Sequence, residues 1–167
     1  MGQVTAQIEP ATLSEEGWAP FGWLPVADTD PGDGSHRLEF EWADPHVNLI
    51  GHARAEVPEV PGGLRCEMLY RHATHTQTIM SVDHPCVIAV APAATDFAAD
   101  GTNEAIRAFV LQPLEPIVLS RGTWHWGPFP TRADAVRLFN VQGLRYAEDN
   151  VMVDLAALGL ALDVLVG

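Results

Sequence analysis

The sequence predicts a mostly β protein, a single domain over residues 1–167, built as a sandwich or barrel of short strands. Three observations carry this. Short stretches alternate apolar and polar side chains, the period of strands with one buried face. Proline or glycine punctuates nearly every junction, at the interval of antiparallel hairpins. At 167 residues, 47% hydrophobic and 19% charged, the chain is large enough to bury a core without staples.

Taken in order, residues 11–22 (ATLSEEGWAPFG) read as a short N-terminal helical turn opened by Thr12 or Ser14 and stopped by Pro20. Residues 28–34 (DTDPGDG) are dense in turn formers and read as an exposed, mobile loop. Strand candidates then follow: RLEFEWA at 37–43, VNLIGHARAEV at 47–57, GLRCEMLYRH at 63–72, TQTIMSV at 76–82 and PCVIAVAP at 85–92. AIRAFVLQP at 105–113, EPIVLS at 115–120, AVRLFNVQ at 135–142 and NVMVDL at 150–155 continue the series. Residues 103–111 fit a helix equally well. The C-terminal VDLAALGLALDVLVG reads as a last strand with an apolar tail. Many short strands so spaced suggest a sandwich or barrel.

Net charge is −13, and every one of the nine basic residues is arginine. Such a field repels phosphate backbones, which argues against nucleic acid as a partner. Without lysine, Schiff-base chemistry is excluded. An anionic substrate would need a few arginines to create a local exception to the field. No apolar run approaches the roughly 20 residues of a membrane helix, and the N-terminus lacks a signal-peptide pattern. A cytoplasmic location without membrane contact is the expectation. Cys66 and Cys86 have no metal-ligand spacing and read as reduced core thiols.

Two clusters can carry chemistry: Tyr70-Arg71-His72-Ala73-Thr74-His75-Thr76-Gln77 and Ser120-Arg121-Gly122-Thr123-Trp124-His125-Trp126. Residues two apart in a strand share a face, so His75 and Gln77 point the same way, with His72 at the strand entry. Gly122 permits a tight turn that aims His125 from the following strand. Two imidazoles and an amide converging from two strands can hold a divalent metal or position a proton donor and acceptor.

These residues resemble the cupin superfamily: SRGTWH at 120–125 is similar to its second motif, and RHATHTQ at 71–77 to a degenerate first motif. More narrowly, PFG at 20–22, RHATHTQ, IRAFV at 106–110 and RGTWH at 121–125 resemble, in order, the ureidoglycolate lyase family. The resemblance implies a cupin-type β-barrel or jelly roll, often a homodimer, cleaving ureidoglycolate to glyoxylate and urea in purine and allantoin breakdown. It implies proton exchange or metal binding by His72 and His125, and orientation of the ureido group by Gln77. Arg71 or Arg121 would clamp the carboxylate, with Tyr70, Trp124 and Trp126 as further substrate contacts. A divalent metal (nickel, zinc or manganese) would draw on His72, His75, Gln77 and His125. Where the family usually reads NYHRGTWHH, this chain has Val118, Leu119 and Ser120 before the motif and Trp126 after His125. Tyr70 stands where the family carries glutamate.

Blander readings stand beside these. His36, His46, His52 and His84 read as exposed or structural, Arg107 as a structural ion-pair partner, and the tryptophans as filling for the barrel or a dimer contact. Two other functions fit the same barrel: a non-catalytic cupin binding a small carboxylate, and a different metal-dependent cupin enzyme.

Overall fold

Three sheets, stacked in layers, form from these alternating stretches. The computed structural model describes residues 4–25, 36–41, 44–99 and 102–167. In chain order, β1 (Val4–Ile8) and β2 (Ala11–Thr12) precede helix α1 (Glu15–Trp18), β3 (Gly22–Trp23) and the long β4 (Pro45–Ala53). Next come β5 (Glu59–Val60), β6 (Gly63–Cys66), β7 (Met68–His72), β8 (Gln77–Ser81) and β9 (Cys86–Ala91). Strands β10 (Arg107–Leu111), β11 (Pro116–Leu119), β12 (Trp124–Pro130) and β13 (Ala135–Gly143) follow. Helix α2 (Tyr146–Asp149), β14 (Asn150–Asp154) and β15 (Leu160–Leu165) complete the series.

The first sheet runs β1-β15-β6-β5, the second β14-β7-β12-β9-β10-β2 and the third β3-β11-β8-β13-β4. No ladder joins the second sheet to the third among the described residues. The architecture is therefore mostly β, as expected from the sequence, with its sheets open rather than closed into a barrel among the described residues.

Strand β9 is the hinge of the packing. All six of its residues are buried, which explains why PCVIAVAP reads as an unbroken apolar run: it faces a sheet on either side. Val87, Ala89 and Ala91 pack with Leu64, Leu162 and Val164 of the first sheet. Cys86, Ile88 and Val90 pack with Ile79, Ile117 and Leu138 of the third. Helix α1 caps this second cluster. Its Ser14 hydroxyl accepts the Gly17 N–H at 3.1 Å, and the fully buried Trp18 donates its indole N–H to the Val118 carbonyl at 3.0 Å. Both cysteines are free and buried.

Several expectations need correction. Residues 63–72 form two strands divided at Glu67, and the two belong to different sheets. Residues 47–57 end as a strand at Ala53 and continue as a 3-10 turn. The ambiguous segment 103–111 resolves into a 3-10 turn followed by β10. Residues 37–41 form no ladder, only a single bridge between Phe40 and His75. Residues 42–43 and the loop at 28–34 lie outside the described residues. Arg107 donates to the Glu104 and Ile106 carbonyls, and no carboxylate among the described residues pairs with it. Strand β1, which pairs in parallel with β15, has no counterpart among the sequence expectations. No helix among the described residues is long and apolar enough to cross a membrane.

Because Ile88 is fully enclosed between two sheets, Ile88→Ala leaves a cavity that neighbouring strands cannot collapse into. We expect a loss of about 2–5 kcal/mol in unfolding free energy, measured by urea denaturation. A loss below about 1 kcal/mol would contradict the packing of this face of β9 against the third sheet.

Candidate active site

The site begins with the alternation of β7. Tyr70 and His72 face the third sheet, while Leu69 and Arg71 face the other way. Gly122 then makes the tight turn expected of it, in the left-handed region at φ +77°. Its N–H donates to the His72 carbonyl at 2.7 Å. This bond sets β12 antiparallel beside β7 with His125 opposite Tyr70. The imidazole centroids of His72 and His125 consequently lie 5.5 Å apart. Both line a cavity of about 700 Å³ between the second and third sheets, together with Tyr70, Gln77 and Trp126.

Both imidazoles are held neutral. Burial pushes the His72 pKa down to about 3, with the neighbouring His125 and His75 adding to the effect. Burial likewise pushes His125 down to about 4, partly offset by its bond to the Thr123 carbonyl. That bond, from Nδ1 at 3.2 Å, leaves His125 Nε2 as a lone pair. His72 Nδ1 is buried and has no hydrogen-bond partner among the described residues. An orphaned N–H costs more than an orphaned lone pair, so the His72 proton belongs on Nε2.

The facing wall is made of amides. Gln77 Nε2 donates to Asn140 Oδ1 at 2.8 Å and to Gln142 Oε1 at 3.2 Å. Asn140 Nδ2 passes the chain on to Asn48 Oδ1 at 2.9 Å. Gln77 Oε1 is left buried with no protein partner among the described residues. The result is a histidine wall facing an amide wall.

Four residues read as site candidates do not reach this cavity. Arg71 lies over the Trp124 ring, 4.5 Å from its centroid; both face away because they sit out of phase with His72 and His125 along their strands. Arg121 is tied at the surface, its Nε donating to the Ala73 carbonyl at 2.9 Å and its guanidinium paired with Glu41 and Glu39. His75 lies behind His72, stacked on it at 4.8 Å and on Phe40 at 6.2 Å. Its Nδ1 is 3.5 Å from an Asp149 oxygen, and Gly143 backs it so closely that a Cβ there would come 2.8 Å from the ring. Of the set His72, His75, Gln77 and His125, His75 therefore lies outside the cavity that the other three line. No group of three or more His, Cys, Asp or Glu side chains among the described residues is placed to hold a metal ion.

Several cavity residues were read differently or not at all, Asn48, Gln142, His52 and Arg65 among them. His52, expected to be exposed or structural, lines the cavity beside Phe129 with Nδ1 2.8 Å from the Pro128 carbonyl. The signal was present, since Asn48, Ile50 and His52 share one face of β4. Arg65 lines it as well, and nothing in its sequence surroundings marks it.

The ureidoglycolate lyase family model matches residues 5–155. The chain belongs to the ureidoglycolate lyase family. It is similar to a ureidoglycolate lyase of Pseudomonas fluorescens strain Pf0-1, 36% identical over 134 residues, 72% of this chain and 74% of that one. A ureidoglycolate lyase of Pseudomonas syringae pv. syringae strain B728a is 35% identical over 131 residues, covering 71% of each chain. Among solved structures, a Lactobacillus farciminis oxalate decarboxylase in complex with formate matches at 14% identity and a TM-score of 0.37. That match covers 68% of this chain and spans 27% of the decarboxylase chain.

The depressed histidines make stability depend on pH in a defined direction. Below the ordinary value of 6.5 the unfolded chain takes up protons at these two residues, and the folded chain does not until pH about 4 and about 3. Unfolding free energy therefore falls as the pH drops from about 6.5 to about 4. In protein dialysed against chelator, His125→Gln removes one of these protons, so the decline becomes shallower by up to about 1.4 kcal/mol per pH unit. Denaturant titrations at several pH values measure this. Equal slopes in wild type and variant would place His125 outside a desolvated site.

Proposed function

We propose that this chain cleaves ureidoglycolate to glyoxylate and urea, with His72 and His125 handling the proton and Gln77 orienting the ureido group. The observation that carries this reading is the pair of neutral imidazoles, 5.5 Å apart, facing an amide wall across one cavity. The reaction needs little else. The carbinol O–H gives up its proton, its electrons form the new carbonyl, the C–N bond breaks, and the urea nitrogen takes a proton. His125 Nε2, with its lone pair, accepts the carbinol proton. An imidazolium formed at so low a pKa is a strong acid, so His125 readily passes the proton on to the leaving nitrogen, while the neutral His72 Nε2–H serves as a hydrogen-bond donor to the charge that develops there.

The ureido group is itself an amide with N–H donors. Gln77 Oε1 is a buried acceptor without a partner, a state that costs about 1–3 kcal/mol and is relieved when a ureido N–H enters. Gln142 and Asn48 extend the same wall toward the urea carbonyl. Placing the reacting group against fixed dipoles lowers the reorganisation needed in the transition state. The protein environment is read as the cytoplasm, in keeping with two cysteines that are buried and unpaired. The chain is read as a homodimer. The exposed Val47 and Leu49 stand beside Val141 and Phe139 on the outer face of the third sheet, an apolar surface a second copy would cover. Light scattering is expected to return twice the monomer mass, and a monomer at micromolar concentration would end that reading.

Incubation with racemic ureidoglycolate, followed by a glyoxylate assay with and without nickel, zinc or manganese, tests the activity. We expect turnover above the spontaneous rate, and a fall in kcat of about 10²- to 10⁴-fold for His125→Gln. A chain that never exceeds the spontaneous rate under any of these conditions is not a ureidoglycolate lyase.

A further inference from the structure

A carboxylate-bearing substrate needs a cation in the cavity, and the net charge of −13 makes that need acute. The arginines flanking the two histidine motifs do not supply it: Arg71 is stacked on Trp124 and Arg121 is ion-paired at the surface. With the histidines neutral, Arg65 is the one residue with a permanent positive charge among those lining the cavity. It projects from β6, in a different sheet from His72 and His125.

Its guanidinium is held on one edge only. Nε donates to Asp163 Oδ1 at 2.8 Å and Nη2 to Asp163 Oδ2 at 3.3 Å. Asp163, on the neighbouring β15 and directly opposite Arg65 in the ladder, is 91% buried as a side chain against 67% for Arg65. The second edge of the fork, both hydrogens of Nη1 and one of Nη2, has no acceptor among the described residues. A guanidinium carries five donors in a rigid plane, and the free Nη1–Nη2 edge matches a carboxylate bidentately. Asp163 thus fixes the plane of the fork and keeps the side chain from swinging to solvent. Glu56 and Glu67 also border the cavity, but both are exposed, where water screens them strongly. Glu56 is further engaged with the Ala53 N–H.

We infer that Arg65, positioned by Asp163, anchors the substrate carboxylate and sets the preference of the cavity for acids over neutral amides. This rests on the reading of the cavity as the ureidoglycolate site and adds to it the residue that recognises the acid.

N-carbamoylglycine is a suitable probe, because it keeps the ureido and carboxylate groups and lacks the carbinol hydroxyl that cleavage requires. Its carboxamide, N-carbamoylglycinamide, removes only the charge. Titration calorimetry of both probes is run on wild type, Arg65→Gln and Arg65→Lys, with circular dichroism to confirm folding. Wild type is expected to prefer the acid. Arg65→Gln is expected to weaken acid binding by about 10- to 100-fold and leave the amide unchanged, so that the preference disappears. Arg65→Lys, which keeps the charge but loses the fork, is expected to fall between the two, and it decides the matter if Arg65→Gln does not fold. Retention of the full acid preference in either folded variant, or equal binding of both probes by wild type, overturns the assignment. A wild type that binds the acid through Arg65 but never cleaves ureidoglycolate would instead sink the lyase reading and leave the anchor standing.

Discussion

One backbone hydrogen bond sets the geometry on which the site depends: the Gly122 N–H donates to the His72 carbonyl at 2.7 Å. It closes the turn before β12 onto the end of β7 and so fixes which residues of the two strands stand opposite each other. Side chains alternate with a period of two, so a slip of one residue in this register would turn His125 toward the first sheet and bring Trp124 or Trp126 into its place. The glycine is required by the conformation. At φ +77° a side chain is strained, and the Ala93 Cβ already lies 3.2 Å from where a Cβ would sit. A conformational constraint at one residue is thereby converted into the separation of two imidazoles.

Electrostatics then follows from what each wall excludes. The histidine wall is desolvated, which favours uncharged imidazole and removes positive charge at neutral pH. The amide wall is neutral by composition. Nearly all the formal charge around the cavity is therefore on Arg65 and the two exposed carboxylates, and the buried Asp163 balances Arg65 from behind. A cavity of this kind offers dipoles to the ureido group and a single directed cation to the acid. The overall negative field does not have to be overcome everywhere, only along one edge of one guanidinium.

Much of this was legible in the sequence. Period-two alternation located most of the strands, and the glycine of RGTWH pointed to the turn that pairs the two histidine segments. What escaped did so for physical reasons. The alternation that places His72 in the cavity also turns Arg71 out of it, yet a contiguous motif invites both to be read as one site. Arg65 lies seven residues before His72, across a break at Glu67 that sends the chain from one sheet to another; no local pattern reveals a change of sheet. His52 shares its face with Asn48 and Ile50, but a lone histidine in a strand more often packs than reacts, and only the third sheet's position opposite β7 gives it a site. The pairing of β1 with β15 joins the two ends of the described chain, a contact without any local signature.

The departures from the family pattern gain meaning from their placement. Val118, Leu119 and Ser120 replace polar residues, and the sequence alone makes that look like damage to the site. In the structure none of the three lines the cavity. Leu119 is in the core beneath α1, the Val118 carbonyl receives the Trp18 indole, and the Ser120 N–H donates to the Phe21 carbonyl. Leu119 extends the apolar cluster that seats the N-terminal helix, whereas Val118 and Ser120 meet that helix region through backbone groups that do not depend on their side chains. Tyr70 and Trp126 are different, because both border the cavity. Tyr70 stands directly opposite His125 in the ladder, while Trp126, out of phase with His125, packs into the core cluster shared with the first sheet. Under the proposed function, a site with Tyr70 and Trp126 at these two positions draws its acid–base function from the paired imidazoles, and its recognition of an acid from Arg65, outside the motif.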